Sequence, residues 1–285
     1  MKTNNWLNKE EYPFQTKTAI IDGYTMNYVD EGEGDVILFV HGTPCWSFVY
    51  RKVIKKLNIK YRCIAPDHLG FGLSEKSKNI DYSPQAHAKR LKDFIKELKI
   101  KNFHLVVHDF GGPIGLSCAI DMPEKIKSIT ILNTWLWPLD DYAHFAKPSK
   151  IIKTGIGKFL YLNLNFSAKV LVKKGFHNSK NINKSIHKHY IKAQNKNGRK
   201  AAYQFALSLL GESGWYAKLW ENKDKIQNIP TRILWGMEDE LLPANLLLDK
   251  WREGFSKAKV TEIKDCGHFI QEEKPEFVAE AITGY

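Results

Sequence analysis

A chain of 285 residues with 43% hydrophobic and 12% aromatic content suits one α/β domain carrying an insertion and is too apolar to be disordered. No apolar run approaches the roughly 20 residues that span a bilayer, and the first fifteen residues lack the apolar centre of a signal peptide. The net charge of +12 is unevenly spread: residues 147–200 hold 14 Lys and Arg and no Asp or Glu, leaving 29 basic against 31 acidic residues, a balance of −2, elsewhere.

Thr18–Ile21 and Thr25–Tyr28, around Asp22 and Gly23, are predicted to form an edge hairpin. Val36–Val40 (VILFV) is a continuous apolar run of the kind that makes a central strand buried on both faces. It runs straight into His41, Gly42, Thr43 and Pro44, where Gly42 permits a turn with exposed amides and Pro44 adds no donor. Phe48–Leu57 reads as a helix and Tyr61–Ala65 as a third strand. Pro66–Ser74 (PDHLGFGLS) reads as a structural loop, since it lacks the Lys and helix start of a phosphate cradle. Ser83 caps a helix reaching Leu98, with Leu91, Phe94, Ile95 and Leu98 on one face.

The chain turns on Phe103–Leu116 (FHLVVHDFGGPIGL). Leu105, Val106 and Val107 form a buried strand, Gly111, Gly112 and Gly115 follow, and Ile114–Met122 is a helix ended by Pro123. Strand, glycine-supported turn and helix is the layout of a nucleophile elbow, and Asp109 holds the slot. An aspartate there can displace a leaving group from saturated carbon and become an alkyl ester, which activated water then cleaves. A serine would form an acyl-enzyme instead. The structural alternatives are a decayed serine enzyme or an Asp that caps the next helix.

A strand at Ile129–Leu132 follows the elbow, and the strand–helix rhythm then stops. Residues 136–228 are expected to be a helical cap rich in aromatics, roofing an apolar, dry pocket. The core is expected to comprise 1–135 and 229–285, a mostly parallel central sheet flanked by helices in an α/β class fold. The rhythm resumes with a strand at Thr231–Trp235, a helix from Pro243, a last strand at Val260–Ile263 and a closing helix to Ile282. Asp239 and His268 stand just beyond strand ends, so the order is nucleophile, acid, base, as in the α/β-hydrolase arrangement. The backbone amides of Thr43 and Phe110 are the expected oxyanion hole. Trp46, Asn133 and Trp135, close to these turns, are the expected substrate-binding residues. Cys45, Cys63, Cys118 and Cys266 show no metal spacing and read as free thiols of a cytoplasmic protein, with no metal or cofactor implied. The lysines read as a solvated face, with steering of anions or attachment to an anionic surface as the alternatives; no nucleic-acid motif accompanies them.

Across nearly the whole chain, HGTPCWSFVYR, PDHLGFGLS, VVHDFGG, WGMEDELLP and CGHFIQEEKPE resemble the haloalkane dehalogenase-like α/β-hydrolases. The resemblance implies Asp109 as nucleophile, His268 as base for the hydrolytic water, and Thr43 and Phe110 amides at the oxyanion. Family members place the acid after either of two strands; the earlier place reads Leu132, Asn133 and Thr134, which leaves Asp239. The partners implied are a small apolar substrate and water, with a monomer or weak oligomer. Dehalogenases carry Trp directly after the nucleophile, where its indole N–H binds the departing halide; this chain has Phe110, which offers no donor. Their other halide donor is an Asn beside the oxyanion hole, where this chain has Thr43, or a Trp in the cap. Thr43, Asn133 or a cap Trp are the substitutes. The alternatives are an epoxide hydrolase, for which Tyr161, Tyr190 and Tyr203 are available as acids, a β-lactone-opening enzyme, and a silent ligand-binding protein on the same scaffold.

Overall fold

The computed structural model describes residues 6–178 and 182–284. Lys180, one of the fourteen charges of the basic segment, lies outside the described residues, as do the first five residues of the N-terminal stretch.

Eight strands form one sheet: β1 (Lys17–Ile21), β2 (Tyr24–Glu31), β3 (Asp35–Val40), β4 (Tyr61–Pro66), β5 (Phe103–His108), β6 (Ile126–Leu132), β7 (Thr231–Gly236) and β8 (Lys259–Ile263). Their spatial order is β1-β2-β4-β3-β5-β6-β7-β8. β2 runs antiparallel to β1 and β4, and every pairing from β4 through β3 to β8 is parallel. The expected edge hairpin is present, but β2 is longer than its apolar pattern suggests and ties the hairpin into the sheet through β4.

The apolar strand runs are continuous because both faces are covered. Leu38, Val40, Leu105 and Val107 point to one side, against α2 (Pro84–Glu97) and α3 (Gly111–Asp121). Ile37, Phe39 and Val106 point to the other, with α1 (Arg51–Leu57) and the C-terminal helices. Ser83 caps α2 as expected, its hydroxyl accepting from Ala86 N. The four cysteines are buried and free. Asp67 organises the PDHLGFGLS loop: it accepts from Ser47 N at 2.8 Å, Leu73 N at 2.8 Å and Asn27 Nδ2 at 3.0 Å.

Between β6 and β7 the chain passes through α4 (Ala143–Ile152), α5 (Gly155–Leu162), a π-turn at Ser167–Leu171, α6 (Val172–Lys174), α7 (Lys184–Ala193), α8 (Gly198–Gly211) and α9 (Ser213–Glu221), with no strand among the described residues. After β7 come α10 (Ala244–Gly254) and, beyond β8, α11 (Ile270–Glu273) and α12 (Pro275–Thr283). The predicted single closing helix is therefore two, broken before Pro275, whose ring disfavours helix at the residue preceding it.

Candidate active site

β5 ends at His108, and Asp109 follows at φ 54°, the left-handed conformation of a strained elbow. The turn is tight enough to dictate its neighbours. A methyl group at Gly42 would stand 2.0 Å from Asp109 Oδ1, and one at Gly112 would meet Thr134 Oγ1 at 1.8 Å. Thr134 Oγ1 in turn donates to the Asp109 carbonyl at 2.5 Å.

The Asp109 carboxylate is held at both oxygens. Oδ1 accepts the Thr43 backbone N–H at 2.7 Å, and the Phe110 amide gives the carboxylate a second backbone donor. Oδ2 lies 3.6 Å from His268 Nε2. His268 Nδ1 is 2.7 Å from Asp239 Oδ2. Both side chains lie almost wholly out of water. Three side chains from three strand ends thus meet in the order expected from the sequence.

Electrostatics couples the group. Burial works against a charged His268, but Asp239 and Asp109 outweigh it and raise its pKa to about 10. Burial likewise opposes the charge on Asp109, and His268 overcomes it, so the Asp109 pKa lies below its usual value. Asp239 is an Asx-turn residue: its Oδ1 accepts Leu241 N at 2.8 Å and Leu242 N at 3.0 Å.

Two of the expected substrate-binding residues are elsewhere. Asn133, at φ 26°, turns its amide away from the cavity. Its Nδ2 donates to Asp239 Oδ2 at 2.7 Å and to the Gly236 carbonyl at 3.3 Å, leaving no free donor for a leaving group, and its Oδ1 accepts from Gly236 N at 2.9 Å. Trp46 is fully buried, stacked on Phe48 at 5.3 Å between ring centroids and packed against Tyr12. Neither is among the described residues lining the cavity, whereas Trp135 is.

The cavity has a volume of about 380 Å³. Thr43, Asp109, Phe110, Trp135 and His268 form its floor, while Ile152, Leu160, Tyr161, Phe166 and Leu209 come from the segment between β6 and β7. His144, Lys174 and Glu240 line both this cavity and an adjoining open pocket, and so mark its mouth. Lys174 Nζ reaches Glu240 Oε2 across it at 3.4 Å.

Sequence reasoning missed what fixes His268. Its N–H donates to the Gly175 carbonyl at 2.6 Å, and its own carbonyl accepts from His108 Nε2 at 2.8 Å. A carbonyl only accepts, so His108 carries its proton on Nε2, and burial keeps it neutral with a pKa lowered to about 3. His108 beside Asp109 was a visible signal; Gly175, remote in sequence, gave none.

Residues 35–275 match the family described as alpha/beta hydrolase fold. Haloalkane dehalogenase 2 of Mycobacterium tuberculosis strain H37Rv is 31% identical over 273 residues, covering 95% of this chain and 94% of that protein. The cis-3-alkyl-4-alkyloxetan-2-one decarboxylase of Shewanella oneidensis is 32% identical over 283 residues, covering 96% and 88%. The crystal structure of haloalkane dehalogenase DbeA from Bradyrhizobium elkani USDA94 superposes with a TM-score of 0.85 at 21% identity, covering 95% of this chain and 97% of that one, which shows the shared fold. The chain belongs to the α/β-hydrolase fold family and is a haloalkane dehalogenase-like enzyme within it.

Proposed function

We propose that this protein hydrolyses carbon–halogen bonds of small apolar haloalkanes through an ester on Asp109. The observation that carries the reading is the division of labour on the Asp109 carboxylate: Oδ1 on the Thr43 amide, Oδ2 toward His268 and the cavity. Oδ2 attacks the carbon, the carbon–halogen bond breaks, and halide leaves with the electron pair. His268 then takes a proton from water as the water oxygen attacks Cγ. The charge that develops on Oδ1 meets donors already in place at Thr43 and Phe110. Collapse releases the alcohol and restores the carboxylate.

The raised His268 pKa fits this order. With Asp109 charged, the imidazole holds its proton; alkylation removes that negative charge, so the base emerges only once there is an ester to hydrolyse. Residues 136–228 act as the cap, since Leu160, Tyr161 and Phe166 close the apolar cavity above the triad. Two donors suit the departing halide. Thr43 and Trp135 both line the cavity, and Thr43 Oγ1 and Trp135 Nε1 are buried without a hydrogen-bond partner among the described residues. Trp135 packs edge-on against Phe110 at 4.8 Å, next to the position where dehalogenases carry their indole.

Phe110 favours a second reading, β-lactone opening, in which the leaving oxygen stays on the product as a carboxylate and needs no halide donor. The similarity to an oxetan-2-one decarboxylase supports the same reading. An epoxide hydrolase with paired tyrosine acids has less support. Tyr190 donates to Glu272 at 2.5 Å and Tyr203 to the Ile152 carbonyl at 3.1 Å, so only Tyr161 of the three lines the cavity. Incubation with 1,2-dibromoethane, a cis-3,4-dialkyloxetan-2-one and styrene oxide separates the three. Bromide release supports the first reading. Consumption of the lactone or the epoxide without any halide release from a panel of haloalkanes would replace it.

A further inference from the structure

The segment between β6 and β7 has an outer face as unusual as its inner one. Five of the eight large apolar side chains exposed among the described residues fall between positions 151 and 170: Ile151 (55%), Ile156 (71%), Phe159 (52%), Leu164 (46%) and Val170 (45%). Ile151 lies on α4, Ile156 and Phe159 on α5, Leu164 in the link that follows and Val170 in the π-helical turn, and α4 packs on α5. Exposed Lys150, Lys153, Lys158 and Lys169 alternate with them. No acidic residue occurs from Lys147 to Lys200, while the rest of the chain is close to neutral. Exposed apolar residues scattered singly are ordinary, whereas a cluster bordered by cations and confined to one segment marks a contact surface.

We propose that this face docks on an anionic lipid surface, with Ile156 and Phe159 among the acyl chains and the lysines on the headgroups. The side chains are of the right kind: apolar groups at helical spacing beside Lys make an interfacial surface that lies on a membrane without crossing it. In agreement, no described helix is long and apolar enough to cross one. Charge chooses among occupants. A second copy of this chain would bring the same fourteen positive charges against themselves. A nucleic acid would meet mainly aliphatic side chains, which offer bases no stacking platform.

Docking here also has a use. Ile152, Gly157, Leu160 and Tyr161 of the same two helices line the cavity, and Ile151 belongs to both surfaces, being exposed and also lining the cavity. An apolar substrate dissolved in lipid would reach Asp109 past α4 and α5 without crossing bulk water. That consequence rests on the apolar-substrate reading above; the docking itself does not, because vesicle binding is read without turnover.

The test is flotation of the whole protein with vesicles of phosphatidylcholine, alone or with about 30% phosphatidylglycerol, at about 0.05 M and 0.5 M salt. Binding is expected to the anionic vesicles only, at least about tenfold stronger at the lower salt, since each lysine near the surface contributes about fivefold. Ile156→Ser with Phe159→Ser, and separately Lys150, Lys153, Lys158 and Lys169 each →Gln, are expected to weaken it at least about tenfold with unchanged Tm. Equal binding by wild type and folded variants, or no binding by wild type at low salt, overturns the proposal. So does self-association abolished by the serine pair in a protein that ignores vesicles, or binding to oligo-dT in preference to them. If a variant does not fold, the lipid and salt dependence of the wild type decides alone.

Discussion

Asn133 Nδ2 donates to Asp239 Oδ2 at 2.7 Å, the same oxygen that receives His268 Nδ1 at 2.7 Å. Asn133 thus supports Asp239, the acid of the proposed mechanism. Asn133→Ala leaves a buried carboxylate short of one donor, at a cost of about 1–3 kcal/mol in stability. Less neutralised, Asp239 holds the imidazole proton more firmly, so the His268 pKa is expected to rise and kcat to fall about tenfold with little change in KM. The checks are an NMR titration of the His268 ring and steady-state kinetics. An unchanged titration and unchanged kcat would make Asn133 a packing residue only.

Phe110→Trp places an indole N–H in the desolvated slot next to Asp109. Such a donor is worth about 1–3 kcal/mol where it strengthens toward the transition state, so halide release is expected to rise about tenfold or more. Phe110 is wedged between Trp135 at 4.8 Å and Phe205 at 4.7 Å, centroid to centroid, so Phe205→Ala is the companion variant that makes room. No gain in folded single and double variants would mean that Thr43 and Trp135 already serve the halide, or that halide does not leave from this site.

The same electrostatics sets a pH dependence of stability. The folded pKa of His268, about 10, lies above its usual 6.5, so its stabilisation is complete below about pH 6.5 and is lost as pH rises toward 10. Asp109 is shifted the other way, and its share is lost as pH falls below the usual carboxylate range. Half-buried Lys76, whose pKa burial lowers to about 8, opposes the alkaline trend. The informative quantity is therefore a difference. Asp109→Asn removes a negative charge from beside the imidazole and lowers the His268 pKa, so the Tm of wild type minus that of the variant should shrink between about pH 7 and 10. A difference independent of pH would mean that the two groups do not share charge.

Much of this was legible in the chain. The runs VILFV and VV point to β3 and β5 because strands covered on both faces read as continuously apolar. Asp109 was legible because a carboxylate between a buried strand and three glycines sits on a turn too sharp for an ordinary connection, and Asp239 and His268 because each follows a strand end. Trp46 and Asn133 were misplaced for a common reason. A side chain next to a turn can face either way, and the choice is made by residues far off in sequence: Tyr12 and Phe48 draw Trp46 inward, and Gly236 and Asp239 hold Asn133. The Gly175 carbonyl that fixes His268 was invisible because a backbone contact across 93 positions leaves no mark on composition or periodicity.

The central claim is that Asp109 becomes covalently alkylated and His268 activates the water that frees it. His268→Gln keeps the nucleophile and removes the base, so the variant incubated with a haloalkane turned over by the wild type should accumulate ester. Mass spectrometry of the digested protein is expected to show the alkyl group on the peptide containing Asp109, and Asp109→Ala should lose at least about 10³-fold in rate. An adduct on another peptide, or none while the wild type turns over the same substrate, would contradict the claim.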